Sequence, residues 1–525
     1  MKSKNNRIIF YLRKSILTLI VMFLFACNES EFLQETPLDF YSPENSFVTY
    51  ENFNAGVNNL YYRFRDYFYD SPNAYRVPRI LLWTTDLIHY NQPVPQLPNY
   101  SAIFIPSADF IYTAVWQPCY HLIYDSNVLI GRADGEQSEL TEEQKILVKA
   151  EASFFRGYAY KMLANLYGGV PLVLEETSEP RRDYTRASRE EVYQQALSDL
   201  KFAAENLKGI DEVEGSRISD LVAYHVLSEV YISLNMWDEA INAASKTIDH
   251  PSTALMTERF GSRVNDVYNP NWPWVSGGDA YWDLFRKGNQ NRSSGNKEAL
   301  WVMQYEYNVP GGGGGGMELE RIYNARLWTA NIYNNDGSRS RITPYPNTYY
   351  GGRSGGFMRL SNFFYHELWQ RSGYDEDLRN ADYNIIRDLK VNNPASDYNG
   401  KWIIQDNVPI DLKNFTDTVR NFYPLLAKTS SLGDHPDDVF IADQTVEGSI
   451  TSATGPSYVC HRDVYHIRLA ETYLLRAEAY LGKGDKTNAA NDINVVRRRS
   501  QAPDVSSDEV DIDYILDERL RELYT

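Results

Sequence analysis

Among the residue types that can bind a ligand, aromatic side chains are the ones that this sequence contains in clear excess. The 525 residues include 40 Tyr, 22 Phe and 10 Trp, so 14% of the chain is aromatic. Seven of the tryptophans fall between residues 251 and 459. Because Tyr and Trp combine a large apolar ring with a polar group, such a surplus indicates an exposed surface or a binding site as well as a core.

Residue patterns typical of catalysis are weak by comparison. The eight histidines are scattered, and His366-Glu367 lacks the second histidine of a zincin helix. The six glycines at 311–316 have no following Lys-Ser or Lys-Thr, which favours a flexible surface loop over a phosphate loop. Acidic residues are abundant, but no pair is singled out for glycoside hydrolysis. We therefore expect no enzyme and assign no cofactor or metal ligand, and the sequence leaves open whether the insertion binds a metal ion.

Charge and cysteine content argue against several kinds of partner and structural site. The formal net charge is −18, which makes nucleic acid and acidic lipid surfaces unsuitable partners and favours a neutral or cationic ligand. Three cysteines, Cys27, Cys119 and Cys460, cannot build a disulfide framework or a structural zinc site. Cys119 and Cys460 either pair in an oxidising compartment or remain buried free thiols.

The N-terminus has the pattern of an export signal. A basic start is followed by an apolar stretch at 16–26, which is too short to span a bilayer and ends in Leu-Phe-Ala before Cys27. This ending resembles the bacterial lipobox, so we expect cleavage before Cys27 and lipidation of its thiol, which would anchor a soluble body to a membrane. The acidic residues that follow are either a solvated linker or a sorting tether.

Periodicity predicts helices far more often than strands. Apolar residues spaced by three and four predict a helix from Thr141 to Tyr167, capped at Thr141 and ended by Gly168-Gly169. A second helix is expected from about Ser188 to Leu207. Short runs at 299–305 and 401–404 are candidate strands.

An internal repeat indicates the architecture. Tyr224, Ser228, Tyr231, Asn235 and Ala240 recur with the same offsets as Tyr473, Ala477, Tyr480, Gly484 and Ala489. Small residues allow close helix approach and the turn falls at Asn235 or Gly484, as in a tetratricopeptide (TPR) helix pair. We therefore predict a mainly α fold, a TPR-like scaffold of helical hairpins with a large loop-rich insertion that contains a few short strands. The expected segments are a signal peptide (1–26), a lipid anchor and tether (27–45), an N-terminal helical part (46–250), the aromatic insertion (251–459) and C-terminal helices (460–525).

Five ordered blocks resemble the SusD/RagB family. They are Glu31-Phe32-Leu33 with the Ser42–Phe47 run, Trp116 with Tyr120 and Asn127, Glu151–Tyr158 leading to Leu166–Val173, Ala299–Val302, and Ile467–Leu474 with Ala477–Ala479 and Ile493–Arg497. The most specific block is Glu151–Val173. Family sequences continue past Glu518–Leu523, so the resemblance implies a chain cut short, with a last helix that lacks its partner.

The resemblance implies a lipoprotein on the extracellular face of the outer membrane. Family members bind glycans as a lid over a SusC-like TonB-dependent transporter, so the expected partners are a glycan, that transporter and, through the lipid, the outer membrane. The same fold with peptide cargo is an alternative, and a surface-anchored glycosidase is a weaker one.

Candidate ligand residues follow from sugar chemistry combined with this resemblance. Aromatic rings pack on the C–H face of a sugar, while amide, carboxylate and guanidinium groups bind its hydroxyls. The insertion contributes Trp272, Trp274, Trp282, Tyr323, Arg326 and Trp328, and an N-terminal loop contributes Trp83, Asp86 and Tyr90.

Overall fold

The structure is a computed structural model that describes residues 46–69, 85–91, 112–413, 417–442, 445–453, 457 and 459–524. Cys27, the signal peptide, the tether and Trp83 lie outside these residues. In this described part, no helix has both the length and the apolar character needed to cross a membrane.

The protein is mainly α-helical, which confirms the predicted fold class. A π-helical turn, Tyr112–Trp116, leads into α2, and two further π turns, Phe363–Glu367 and Asp417–Asn421, lie in the insertion. The α-helices of the described residues are α1 (Tyr50–Phe68), α2 (Gln117–Ala133), α3 (Glu142–Tyr167), α4 (Arg189–Asn206), α5 (Asp220–Ser233), α6 (Trp237–Ile248), α7 (Ala280–Leu284), α8 (Leu319–Tyr323), α9 (Leu368–Gln370), α10 (Leu469–Gly482), α11 (Lys486–Arg499) and α12 (Ile512–Leu523).

The ends of α3 and α4 lie where the sequence predicts them. Thr141 forms a capping box, in which Thr141 Oγ1 accepts from the Gln144 amide and Gln144 Oε1 accepts from the Thr141 amide. Ser188 caps α4 in the same way with Glu191. Gly168 follows α3 with a φ of 73°, a conformation that glycine adopts without strain. Both helix predictions are confirmed.

The two repeats are helical hairpins that pack against each other. Asn235 (φ 57°) and Gly484 (φ 86°) turn the chain between α5 and α6 and between α10 and α11. Helix α10 lies against both α5 and α6. His225 Nδ1 is 2.8 Å from Thr472 Oγ1, which joins the two first helices. Repeats far apart in sequence therefore form one layer, as in a solenoid of helix pairs.

Two Gly→Ala substitutions should have opposite effects on stability, because one glycine lies at the close contact between α6 and α10 and the other faces open space. A Cβ on Gly482 would lie 2.6 Å from the Trp237 ring, so Gly482→Ala should lower the free energy of unfolding by about 1–3 kcal/mol. Gly131 in α2 has no atom within 4 Å of a Cβ, so Gly131→Ala should raise it by about 0.5–1 kcal/mol. Urea unfolding of both variants measures these changes. Equal effects would contradict the packing.

Each β-sheet in the described residues consists of two short antiparallel strands. The prediction at 299–305 is confirmed by β2, whereas 401–404 is not a strand, since only Trp402 forms an isolated bridge, to Lys390. The pairs are β1–β5, β2–β8, β3–β4 and β6–β7. Their bounds are β1 (Ile88–Tyr90), β2 (Ala299–Met303), β3 (Asn331–Tyr333), β4 (Arg339–Arg341), β5 (Met358–Leu360), β6 (Ile385–Ile386), β7 (Leu425–Leu426) and β8 (Val464–Arg468).

Two large apolar cores divide the molecule, one among the N-terminal helices and one within the insertion. Cys119 lies in the helical core and Cys460 in the insertion core. Both are buried free thiols, so the pairing alternative is wrong. Burial raises the pKa of the Cys119 thiol, which makes it unreactive.

A buried ionic network joins the insertion to the C-terminal helices. Its side chains are at most 4% exposed, and their charges are satisfied by one another. Through this network α12 contacts both the insertion and α11. The members are Glu298, Asp377, Arg379, Arg468, Arg497, Arg499, Glu518, Arg521 and Glu522.

Candidate functional site

Three predicted stacking residues lie in the core of the insertion. Trp272, Trp274 and Trp282 are 4%, 2% and 1% exposed. Trp272 stacks on Tyr349, whose carbonyl accepts a 2.8 Å hydrogen bond from Trp274 Nε1. A sugar platform must offer one ring face to solvent, and these rings are buried. The structure therefore corrects the expectation that they form a surface platform.

Tyr323 is likewise part of this core. It is 3% exposed, and burial raises the pKa of its phenol. The Tyr323 carbonyl accepts a 3.1 Å hydrogen bond from the Tyr423 hydroxyl. Its position behind the surface supports α8 and does not suit contact with a ligand.

Arg326 and Trp328 remain partly exposed at the turn that follows α8. Trp328 Nε1 donates a 3.0 Å hydrogen bond to the Ser354 carbonyl, which fixes the orientation of the indole. The Arg326 guanidinium carbon lies 4.8 Å from the centre of the Trp328 ring, a cation–π contact. The Arg326 amide donates to the Arg420 carbonyl at 3.0 Å, so the turn is held against the segment around 420. The turn therefore presents a fixed indole and a guanidinium side by side.

Strand pairing brings the Tyr90 end of the second predicted group to the segment that follows Ser354, whereas the Asp86 end of β1 lies next to Ser361. In β1–β5, Ile88 pairs with Leu360 and the backbone of Tyr90 pairs with Met358. The Asn91 amide also donates to the Phe357 carbonyl at 2.8 Å. Asp86, just before β1, is exposed. The segment after Ser354, which positions Trp328, is thus the segment on which β1 pairs.

Arginines around this turn were not among the residues predicted from the sequence, apart from Arg326. Two guanidinium groups lie over the Phe357 ring, that of Arg321 at 5.2 Å and that of Arg420 at 5.3 Å from the ring centre. Burial lowers the pKa of Arg326, and the neighbouring charges of Arg420, Arg353 and Arg341 lower it further. We call this surface the arginine face. It consists of Arg321, Arg326, Trp328, Arg341, Arg353, Phe357 and Arg420.

A second aromatic pocket lies on the helical side of the molecule. Its volume is about 330 Å³, and Tyr124 and Tyr184 at its edge are 40% and 42% exposed. Tyr120 donates from its hydroxyl to the Pro171 carbonyl at 2.8 Å, which ties α2 to the segment after α3. This pocket contains none of the ligand residues predicted from the sequence.

One group in the described residues has the composition of a metal site, formed by His225, Glu229 and Glu471. Lys161 forms an ion pair with Glu229, and Arg519 Nη2 lies 2.7 Å from Glu471 Oε1. Burial lowers the pKa of His225 to about 4, which keeps this imidazole neutral. Because two cations already neutralise the carboxylates, we assign the group to the packing of α3, α5, α10 and α12.

Comparisons with known proteins agree with the fold. Two family models match the chain: one described as "Starch-binding associating with outer membrane" over residues 91–232, and one described as the SusD family over residues 287–525. A SusD-like protein of Formosa agariphila is 26% identical over 288 residues, which are 50% of this chain and 50% of that protein. The chain spans about half the length of the curated relatives it matches.

Solved structures show the same architecture. A laminarin-binding SusD-like protein superposes with a TM-score of 0.60 at 19% identity, covering 91% of this chain and 89% of that one. A SusD homologue from Bacteroides thetaiotaomicron superposes with a TM-score of 0.62 at 18% identity, covering 92% and 85%. The fold, the two model matches and the paired helical hairpins lead to one conclusion: this chain belongs to the SusD/RagB family.

Proposed function

We propose that the protein is a glycan-binding lipoprotein that is anchored through Cys27 to the extracellular face of the outer membrane. The observation that carries this proposal is the partly exposed Trp328, held by its bond to Ser354 and flanked by Arg326. A fixed indole next to a multidentate donor suits a sugar, which offers one apolar face and a rim of hydroxyls. Membership of a family with a starch-binding description supports the ligand class.

The binding surface in this proposal is the arginine face together with the β1 segment. Asp86 contributes a carboxylate that can accept from sugar hydroxyls, and Trp83 and Tyr90 remain proposed ligand contacts on the same segment. This surface is supported by buried aromatic residues that fill the core beneath it: Trp272, Trp274, Trp282 and Tyr323. No catalytic role is assigned to any residue.

Delivery of the captured glycan to a SusC-like TonB-dependent transporter is part of the proposal. It is supported by the family and by the lipobox ahead of Cys27, which would hold the body close to an outer-membrane barrel. Copurification of the full chain with such a transporter from the native membrane tests this step. Recovery of the lipoprotein without any barrel after mild solubilisation and crosslinking would argue against it.

Trp328→Ala is expected to weaken glycan binding at least about fivefold, because loss of one stacked ring removes about 1 kcal/mol or more. The measurement is a screen of plant, host and microbial polysaccharides by retardation in native gels, followed by calorimetry. Tyr124→Ala in the second aromatic pocket is the matched control and should leave affinity within about twofold. Loss of binding in Tyr124→Ala with full binding in Trp328→Ala would move the site to that pocket.

Two alternatives are tested with the same protein. Binding of peptides with no binding of any glycan would identify the ligand as a peptide. Release of shorter products from a bound oligosaccharide, lost on replacement of one carboxylate, would instead identify a glycosidase. Intact recovery of the ligand after prolonged incubation supports binding without chemistry.

A further inference from the structure

The arginine face concentrates positive charge on a chain that is acidic overall. Arg321, Arg326, Arg341, Arg353 and Arg420 come from several separate segments of the insertion, although the formal net charge is −18. Three of them lie close enough to Arg326 for their charges to lower its pKa. Arg321 is paired with Glu318 at 3.0 Å, whereas the charges of Arg341, Arg353 and Arg420 oppose that of Arg326, so an anion bound at Arg326 relieves this repulsion.

Hydrogen bonds to backbone carbonyls hold these segments in fixed positions. The Arg326 amide donates to the Arg420 carbonyl at 3.0 Å, and Arg420 Nε donates to the Gly355 carbonyl at 2.7 Å. Arg353 Nε donates to the Ser452 carbonyl at 2.7 Å. The face is therefore assembled before any ligand arrives, which lowers the entropic cost of binding.

Arg326 is the member best placed to bind an anion. It stacks on Trp328, and among the described residues its guanidinium has no hydrogen bond or ion pair. Arg341 is exposed, and its guanidinium donates to the neutral carbonyl of Pro344 at 3.2 Å. Guanidinium groups bind carboxylates and sulfates through paired N–H donors, so these two side chains match acidic substituents on a sugar.

We infer that the glycan bound at the arginine face is acidic and carries carboxylate or sulfate groups near the sugar ring that stacks on Trp328. This inference rests on the proposed function and names its ligand class. A ligand with both an apolar ring face and a planar anion uses the indole of Trp328 and the guanidinium of Arg326 together, whereas a neutral glycan would leave the Arg326 guanidinium without an anionic partner.

Net charge alone favours the opposite ligand, a neutral or cationic one. At physiological ionic strength, however, charges further apart than about 8 Å are largely screened from each other. The local group of arginines then determines which ligand is bound, while the acidic remainder of the chain mainly slows the approach of a polyanion at low salt.

The test uses the full chain and four probes: polygalacturonate, a sulfated galactan, neutral amylopectin, and polyglutamate as an anion without sugar. We expect the two acidic glycans to bind in about 0.1 M NaCl and to lose about tenfold or more in affinity in Arg326→Gln. Arg181→Gln is the matched control, since Arg181 also lies over an aromatic ring, Tyr184 at 5.3 Å, but on the helical side. It should change affinity by less than about twofold.

The outcomes separate this inference from the proposed function. Binding of amylopectin alone, with dependence on Trp328, would overturn the acidic ligand and leave the glycan-binding function in place. Binding of no glycan by folded protein would overturn both. Equal binding of polyglutamate, or acidic binding unchanged in Arg326→Gln, would also overturn the inference. Carboxylate and sulfate recognition are distinguished near about pH 3, where uronates lose charge and sulfates keep it.

Discussion

Glu518→Gln is expected to lower the free energy of unfolding by about 3–5 kcal/mol at pH 7, because it removes one charge from a buried ionic network. Glu518 is fully buried, and its carboxylate accepts from Arg379 at 2.7 Å and from Arg497 and Arg521 at 2.9 Å. The amide keeps the shape of the side chain but leaves three buried guanidinium groups without that negative charge. Urea unfolding at pH 7 measures the loss.

The pH dependence of this effect has a defined sign. Burial raises the pKa of Glu518, but Arg379, Arg521 and Arg497 outweigh burial and lower it to about 2 from 4.5. A lowered pKa gives stability that is complete above the unfolded value and is lost as the pH falls from about 4.5 towards about 2. The difference between wild type and Glu518→Gln should therefore shrink to about 1–2 kcal/mol at about pH 3.

An exposed ion pair on the same part of the chain provides the control. Asp504 lies 2.9 Å from Arg498 Nε, but these side chains are 45% and 63% exposed. Asp504→Asn should cost less than about 1 kcal/mol, because water already solvates both charges. If Glu518→Gln were as mild as Asp504→Asn at pH 7, the network would not hold α12 in place.

The helices and their ends could be predicted from local sequence, because caps and apolar periodicity act within a few residues. Thr141, Ser188, Asn235 and Gly484 lie at the predicted ends and turns, and each one satisfies or redirects the backbone next to it. The 401–404 run forms only one bridge, between Trp402 and Lys390, because the chain turns from Ile403 onwards and its hydrogen bonds to the 389–391 segment end there.

The site could be predicted only in part. Arg326 and Trp328 are partly exposed near the segment on which β1 pairs, but Trp272, Trp274 and Trp282 belong to the core. An indole is as suitable for a core as for a sugar platform, and its local sequence does not distinguish the two.

The arginine face could not be predicted from local sequence either. Its members are up to about a hundred residues apart, and only the tertiary pairing of the segments around Trp328, Phe357 and Arg420 places them together. Net charge, summed over the whole chain, conceals such a local group. The ligand preference drawn from composition and the one drawn from the structure therefore point in opposite directions.

Trp301→Ala is expected to lower the free energy of unfolding by about 3–5 kcal/mol, since it removes the ring through which the strand pair β2–β8 packs on the helices. The indole is 1% exposed, stacks on Phe64 at 4.8 Å and contacts Phe154 at 5.4 Å and His466 at 4.6 Å. Its Nε1 donates to the Ser216 carbonyl at 3.0 Å.

Trp301→Phe separates packing from hydrogen bonding at this position. Phenylalanine keeps most of the ring contacts and loses the bond to Ser216, so it should cost clearly less than alanine. Urea unfolding followed by near-ultraviolet circular dichroism measures both variants. Because Trp301 lies between α1, α3 and β8, its loss should weaken the insertion and the helical layer in one transition. Two separate transitions in Trp301→Ala would show instead that the insertion unfolds independently of the helices that support it.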